Sequence, residues 1–425
     1  MNHTPHTSRI RTVLSCTLVV VFLGASATAC GGGSDANPLA AQPYDAAEQI
    51  AFNTPAGRVK GAKADPAKPL EVTVKGSGGR ITDVTVTDDA GHRLAGELAP
   101  DGSRWRSTAP LAAGVTYTVR VSTEDKDGSP GTRTLTFETA PSKKVLTVAF
   151  GPEAGTYGVG QPITAELSAP VRDMSARAVV ERALKIESEP AVEGAWHWVD
   201  DKKLHFRPKE YWPPGAIVSA ASRLYGVKVA DKLYGGVSKP LKLTIGDRIE
   251  AITDASAHQM TVKRNGEVIN TIPVTTGKPG FSTRNGVKVV LGKEYFVRMR
   301  GTTVGIAEGS ADSYDLPVYY ATRVTWSGEY VHAAPWSVGS QGSANVSHGC
   351  TGMSTANAAW FYKTVRPGDL VTVVNSGGAE MTPFGNGFGD WNLPWDAWRK
   401  GSALVTDTTR EGSSPADVAR LRPRV

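Results

Sequence analysis

The stretch Val331–Ser354, VHAAPWSVGSQGSANVSHGCTGMS, gathers His332, His348 and Cys350 into nineteen residues and runs directly into a helix start. Ser354 reads as an N-cap, the helix extends to about Val365, and Arg366-Pro367-Gly368 stops it. Two of the chain's eight histidines fall here. A thiol is a nucleophile only as its thiolate, and a neighbouring imidazole supplies that form by taking the proton and pairing with the anion. Gly349 gives backbone freedom just before Cys350, and the N–H groups of both residues are candidates to meet a developing oxyanion. A zinc site on His332, His348 and Cys350 competes with this reading; it lacks an evident fourth ligand and the close Cys or His pairs of structural sites. A buried inert thiol and a plain Gly-rich turn compete with it as well. Thiol acyl transfer leads, with no metal or cofactor expected.

Outward from this stretch, the chain alternates apolar and polar residues at the period of strands. Upstream, Ile249, Ala251 and Thr253, then Val268, Ile272 and Val274, form runs joined by Asn265-Gly266, a hairpin signal. Before them lies a block from about Lys144 to Gly246, opening with Leu146–Phe150 and closing with Leu241–Ile245, with one helix expected over 175–185. Trp196, Trp198 and Trp212 are assigned to packing rather than to a carbohydrate platform. A further block, 51–143, alternates at Leu70, Val72 and Val74, at Val115, Tyr117, Val119 and Val121, and at Leu135 and Phe137, with turns at Asp89-Ala90-Gly91 and Asp127-Gly128. The expected fold is therefore mainly β: two β-sandwiches (51–143 and 144–246), then a β-rich third domain (247–375) with a short helix after Cys350. A Trp-rich subdomain (376–402) should fold back on that third domain, and residues 403–425 are expected to be disordered.

The first thirty residues read as an export signal: Arg9 and Arg11, an apolar run from Val13 to Leu23, then small residues to Cys30. Residues 31–50, rich in Gly, Ala, Ser and Pro, read as a flexible tether. The formal charge of +6 falls to +4 if the signal is removed, and the basic residues are scattered. That spread argues against nucleic acid and suits an anionic envelope. Of three cysteines only Cys350 lies in the body of the chain, so an exported protein here has no disulfide to build.

The spacing of His332 and Ser347-His348-Gly349-Cys350 resembles the signature of L,D-transpeptidase catalytic domains. So do Thr283-Arg284-Asn285-Gly286, Tyr314, Ala334–Ser337 and Gly389–Trp395, and the layout is similar to actinobacterial lipoprotein members with two immunoglobulin-like domains. Ala27-Thr28-Ala29-Cys30-Gly31 resembles a lipobox with Ala27 in place of a larger aliphatic residue, which implies lipidation at Cys30 and an extracytoplasmic protein held to the membrane.

The resemblance implies Cys350 as nucleophile and His332 as base, its ring oriented by the Ala333 carbonyl. His348 would shape the pocket, Tyr314 and the N–H groups of Gly349 and Cys350 would line the oxyanion side, and Trp336 and Ser347 would border the substrate groove. The implied reaction joins peptidoglycan stem peptides by 3-to-3 crosslinks through a thioester, and carbapenems are implied inhibitors. Hydrolysis at the same site, as an L,D-carboxypeptidase, and a non-catalytic wall-binding lipoprotein are the rivals. Thr351 and Gly352 stand where the family has an aliphatic residue and Asn. Glycine holds a loop less firmly than a hydrogen-bonding Asn, so Gly352→Asn is expected to speed acylation.

Overall fold

The computed structural model describes residues 43–55, 61–76 and 79–405. The signal segment, Cys30 and most of the tether lie outside the described residues, as does the chain beyond Val405.

The first sandwich pairs a sheet of strands Tyr44–Asp45, Pro130–Glu138, Thr116–Asp125 and Gly79–Asp88 with one of Ile50–Phe52, Glu71–Val74, Arg104–Ser107 and Gly96–Leu98. The alternating residues Leu70, Val72, Tyr117, Val119, Val121 and Phe137 fill its core around Trp105. This unit begins earlier than residue 51. Tyr44 and Asp45 pair in parallel with Gly131 and Thr132, and Ala46 and Ile50 are buried, so the tether's last residues belong to the fold. A two-residue strand is too short to show a period, which is why composition alone placed these residues in the linker.

The second sandwich sets strands Val148–Gly151, Ile163–Leu167, Lys203–Pro208 and Gly194–Trp198 against Thr156–Tyr157, Leu241–Ile245, Ile217–Ser222 and Leu184–Glu189. Its helix spans Met174–Ala183, capped by Asp173, whose carboxylate accepts from the Ala176 N–H at 2.9 Å. It stops two residues short of 185 because Leu184 already pairs with Ser222. Trp196, Trp198 and Trp212 are buried in this core.

The third domain is built from two sheets. In the five-stranded one, Ile249–Asp254 lies between its antiparallel neighbour Gln259–Arg264 and its parallel neighbour Leu370–Val374, with Glu267–Pro273 and Gly286–Val289 at the edges. Asn265 and Gly266 both take positive φ, the backbone that a two-residue hairpin with the strands' own twist requires. The four-stranded sheet runs Gly292–Arg300, Asp315–Arg323, Tyr330–Ala333, Thr351–Met353. Its last pair is parallel, which needs a crossover, and residues 334–350 supply it as a loop that returns to the sheet at Cys350. Ser354 caps the helix Thr355–Thr364, which packs Ala358 and Phe361 into the core between the sheets.

The Trp-rich segment folds back on two domains rather than on the third alone. Asn392 exchanges hydrogen bonds with both backbone groups of Val287 in the third domain, 2.7 Å from its N–H and 2.8 Å to its C=O. The tryptophans turn to the second sandwich: Trp391 Nε1 donates to Gly160 O and Trp398 Nε1 to Ala195 O. Between them the buried Arg207 guanidinium lies over the rings of Trp391 and Trp398 at 4.8 and 4.7 Å. Order continues past residue 402, since Ala403 N–H donates to the buried Glu181 carboxylate at 2.7 Å.

Candidate active site

Parallel pairing brings the two reactive groups together. The register Val331↔Thr351 and His332↔Gly352 places Cys350 one step before its strand and on the same face as His332, because residues two apart share a face of the sheet. Both side chains line a cleft of about 740 Å³ whose walls include Tyr314, Trp336, Ser347, His348 and the apolar Met299, Val304 and Leu316. Cys350 is the only free cysteine among the described residues and is half-buried.

His332 is buried, and its Nδ1 lies 2.8 Å from the Ala333 carbonyl. The carbonyl accepts only, so Nδ1 carries the hydrogen and Nε2 is the basic nitrogen. Burial also holds the imidazole below its ordinary pKa, so at neutral pH it is an unprotonated base. The sulfur meets two backbone groups of the adjoining segment. The thiol donates to Gly328 O at 3.5 Å, and the nearby Tyr330 backbone N–H favours the anion. Burial is the larger influence and pushes the Cys350 thiol up to about 11, so the resting group is a neutral thiol.

The loop before Cys350 is fixed by its own polar groups. Gly349 has φ of +118°, a backbone that side chains rarely adopt, and its carbonyl accepts from Thr283 Oγ1 at 2.8 Å. Ser347 Oγ accepts from the Gly349 N–H at 3.1 Å and donates to the Cys350 carbonyl at 2.6 Å. This corrects the expectation for Gly349: its N–H is taken up by Ser347, whereas the Cys350 N–H has no partner among the described residues. That leaves the Cys350 N–H free to donate into the cleft that Tyr314 also lines. Ser347 is a loop brace that also lines the cleft. His348 packs between Phe281 and Tyr314, with ring centroids 4.8 and 5.0 Å away, and its Nε2 faces Asp312 at 3.5 Å. It lines the same cleft. Trp336 is half-exposed at the rim, its ring 6.1 Å from that of His332.

Gly352 is not the loose point its glycine suggests. It exchanges both backbone hydrogen bonds with Thr275, at 2.9 and 2.8 Å, while pairing with His332 on its other side. A Cβ there would stand 2.9 Å from Ala334 Cβ and 3.2 Å from Thr275 Cγ2, both on buried residues. Gly352→Asn is therefore expected to lose about 1–3 kcal/mol of stability through overpacking and to slow acylation, the reverse of the sequence expectation. Urea unfolding beside a single-turnover acylation rate checks this, and a faster variant of unchanged stability would contradict it.

Sequence reasoning missed the charges behind the sulfur: Lys288, Glu329 and the role of Arg284. The signal was there in Lys288, the one charge in the run Val287–Leu291.

Residues 248–373 match the L,D-transpeptidase catalytic domain family, and residues 62–228 match a bacterial Ig domain. L,D-transpeptidase 2 of Mycobacterium tuberculosis is 35% identical over 400 residues, 93% of this chain and 97% of that one. L,D-transpeptidase 5 of the same species is 32% identical over 80% of this chain and 74% of its own. A solved L,D-transpeptidase in complex with imipenem, 39% identical, covers 54% of this chain and 100% of its own with a TM-score of 0.47. With its catalytic domain matched and one relative paired along nearly its whole length, this chain belongs to the L,D-transpeptidase family.

Proposed function

We propose that the protein is a peptidoglycan L,D-transpeptidase working through a cysteine thioester, with Cys350 as nucleophile and His332 as base. The observation that carries this reading is the shared face of Cys350 and His332 in one cleft, with the imidazole's Nδ1 held by Ala333 O so that Nε2 is free to take the thiol proton. Because the resting thiol is neutral, proton transfer to His332 accompanies attack on the stem-peptide carbonyl. The carbonyl oxygen, now negative, is met by the Cys350 N–H. Collapse expels D-alanine, which leaves with the proton from His332, and a thioester remains. The side-chain amine of a second stem then attacks the thioester, returns the thiol and forms the 3-to-3 crosslink. Met299, Val304 and Leu316 add apolar surface to the cleft, and the likeness to L,D-transpeptidases supports crosslinking over carboxypeptidase activity. The same reading makes the protein extracytoplasmic and lipid-anchored at Cys30; a mature N-terminus at any other residue would overturn that part.

Carbapenems present a strained carbonyl to the same thiol and donor, and one drug mass is expected on the intact protein, mapped to Cys350. An unchanged mass after prolonged exposure of folded protein would count against an acyl-transfer site.

A further inference from the structure

Behind the nucleophile lies a group of charges that the acyl-transfer steps leave unused. Lys288 is 1% exposed, and its Nζ pairs with Glu329 Oε2 at 2.6 Å. Glu329 Oε1 faces Arg284 twice, accepting from Nη1 at 2.9 Å and from its backbone N–H at 3.2 Å. An ammonium so deep in the fold is costly unless paired, and an apolar side chain of similar volume would fill the space. Position gives the charges a use. Glu329 stands between Gly328, whose carbonyl accepts from the Cys350 thiol at 3.5 Å, and Tyr330, whose backbone favours the sulfur's anion. Its own N–H is held by Thr325 Oγ1 at 2.8 Å, so this one residue is gripped by backbone and side chain alike.

We infer that Lys288 is a positioning residue which, through Glu329, fixes the Gly328–Tyr330 backbone against the sulfur and, with Arg284, supplies a net positive charge that favours the Cys350 thiolate. The inference rests on the reading of Cys350 as nucleophile. Two cations and one anion leave the triad at +1: burial works against the Lys288 ammonium and the paired Glu329 carboxylate supports it, while toward the sulfur the two act in opposite senses, Lys288 for the thiolate and Glu329 against it. The other groups facing this region are His332, Tyr314, His348 with the Lys278–Asp312 pair, and the Tyr330 phenol, which donates to Glu294 at 3.1 Å. None of these supplies a buried cation behind the thiol.

The test is the pH dependence of Cys350 alkylation by monobromobimane in the full chain, read on the Cys350 peptide. Lys288→Met takes the triad to zero and should move the midpoint up by about one pH unit, slowing alkylation about tenfold at pH 7. The double variant Lys288→Met/Glu329→Met restores +1 through Arg284 and should recover to within about threefold of wild type. A purely structural role would leave the midpoint in place or make the double variant worse than the single. A midpoint unmoved in Lys288→Met, or a double variant as shifted as the single, overturns the inference. Should Lys288→Met fail to fold, Arg284→Gln decides: its side chain is 38% exposed, an upward shift is expected, and no shift overturns the inference. Failure of the nucleophile assignment would appear separately, as turnover surviving in Cys350→Ala.

Discussion

Cys350→Ala is expected to lower turnover on a stem tetrapeptide by on the order of 10⁴-fold or more, because no other group in the cleft can form the thioester. His332→Ala should cost about 10²- to 10⁴-fold, the usual worth of a positioned base. The two variants also differ in their pH profiles. Burial holds the wild-type imidazole below its ordinary value, so it remains an unprotonated base as pH falls through 6.5, and the acid limb of kcat/KM lies below that pH. In His332→Ala that limb should vanish and the residual rate should climb with pH toward thiol ionisation near 11. An acid limb retained in the variant would assign the base elsewhere.

The largest stability effect is expected at Trp398, which is fully buried at the junction of the C-terminal segment and the second sandwich. Its indole donates to Ala195 O at 3.0 Å, covers Arg207 at 4.7 Å and touches the rings of His197 and Phe384. Trp398→Ala removes that volume, leaves the part-buried Ala195 carbonyl without this donor and uncovers a desolvated guanidinium, for a loss of about 3–5 kcal/mol. Trp398→Phe keeps most of the volume and should cost less than half as much. Chemical unfolding of both variants checks this ordering. A loss below about 1 kcal/mol for Trp398→Ala would mean that the segment is only loosely docked.

The parts of this structure that sequence made legible are those written in short-range pattern. Val115, Tyr117, Val119 and Val121 face one core because alternation forces them to. Asn265-Gly266 turns because both residues accept positive φ, and Ser354 starts its helix because its hydroxyl accepts from the Asn357 N–H. His332, Ser347 and Cys350 were identified by spacing and resemblance, and the fold brings them to one cleft. What stayed hidden depends on partners far along the chain. Arg207 meets tryptophans nearly two hundred residues away, and no local period encodes that. Gly352 looked permissive because its constraint comes from Thr275 and Ala334. Gly349 looked like an oxyanion donor because nothing local says that Ser347 Oγ turns back to its N–H.

The most direct measurement is a rapid-quench reaction of the full chain with a stem tetrapeptide, followed by intact mass and peptide mapping. A transient tripeptide acyl group on Cys350 and free D-alanine are expected, with a 3-to-3 crosslinked dimer once acceptor stem is present. A dimer formed with no acyl group passing through Cys350, or folded protein that never acquires one, would contradict Cys350 as the nucleophile.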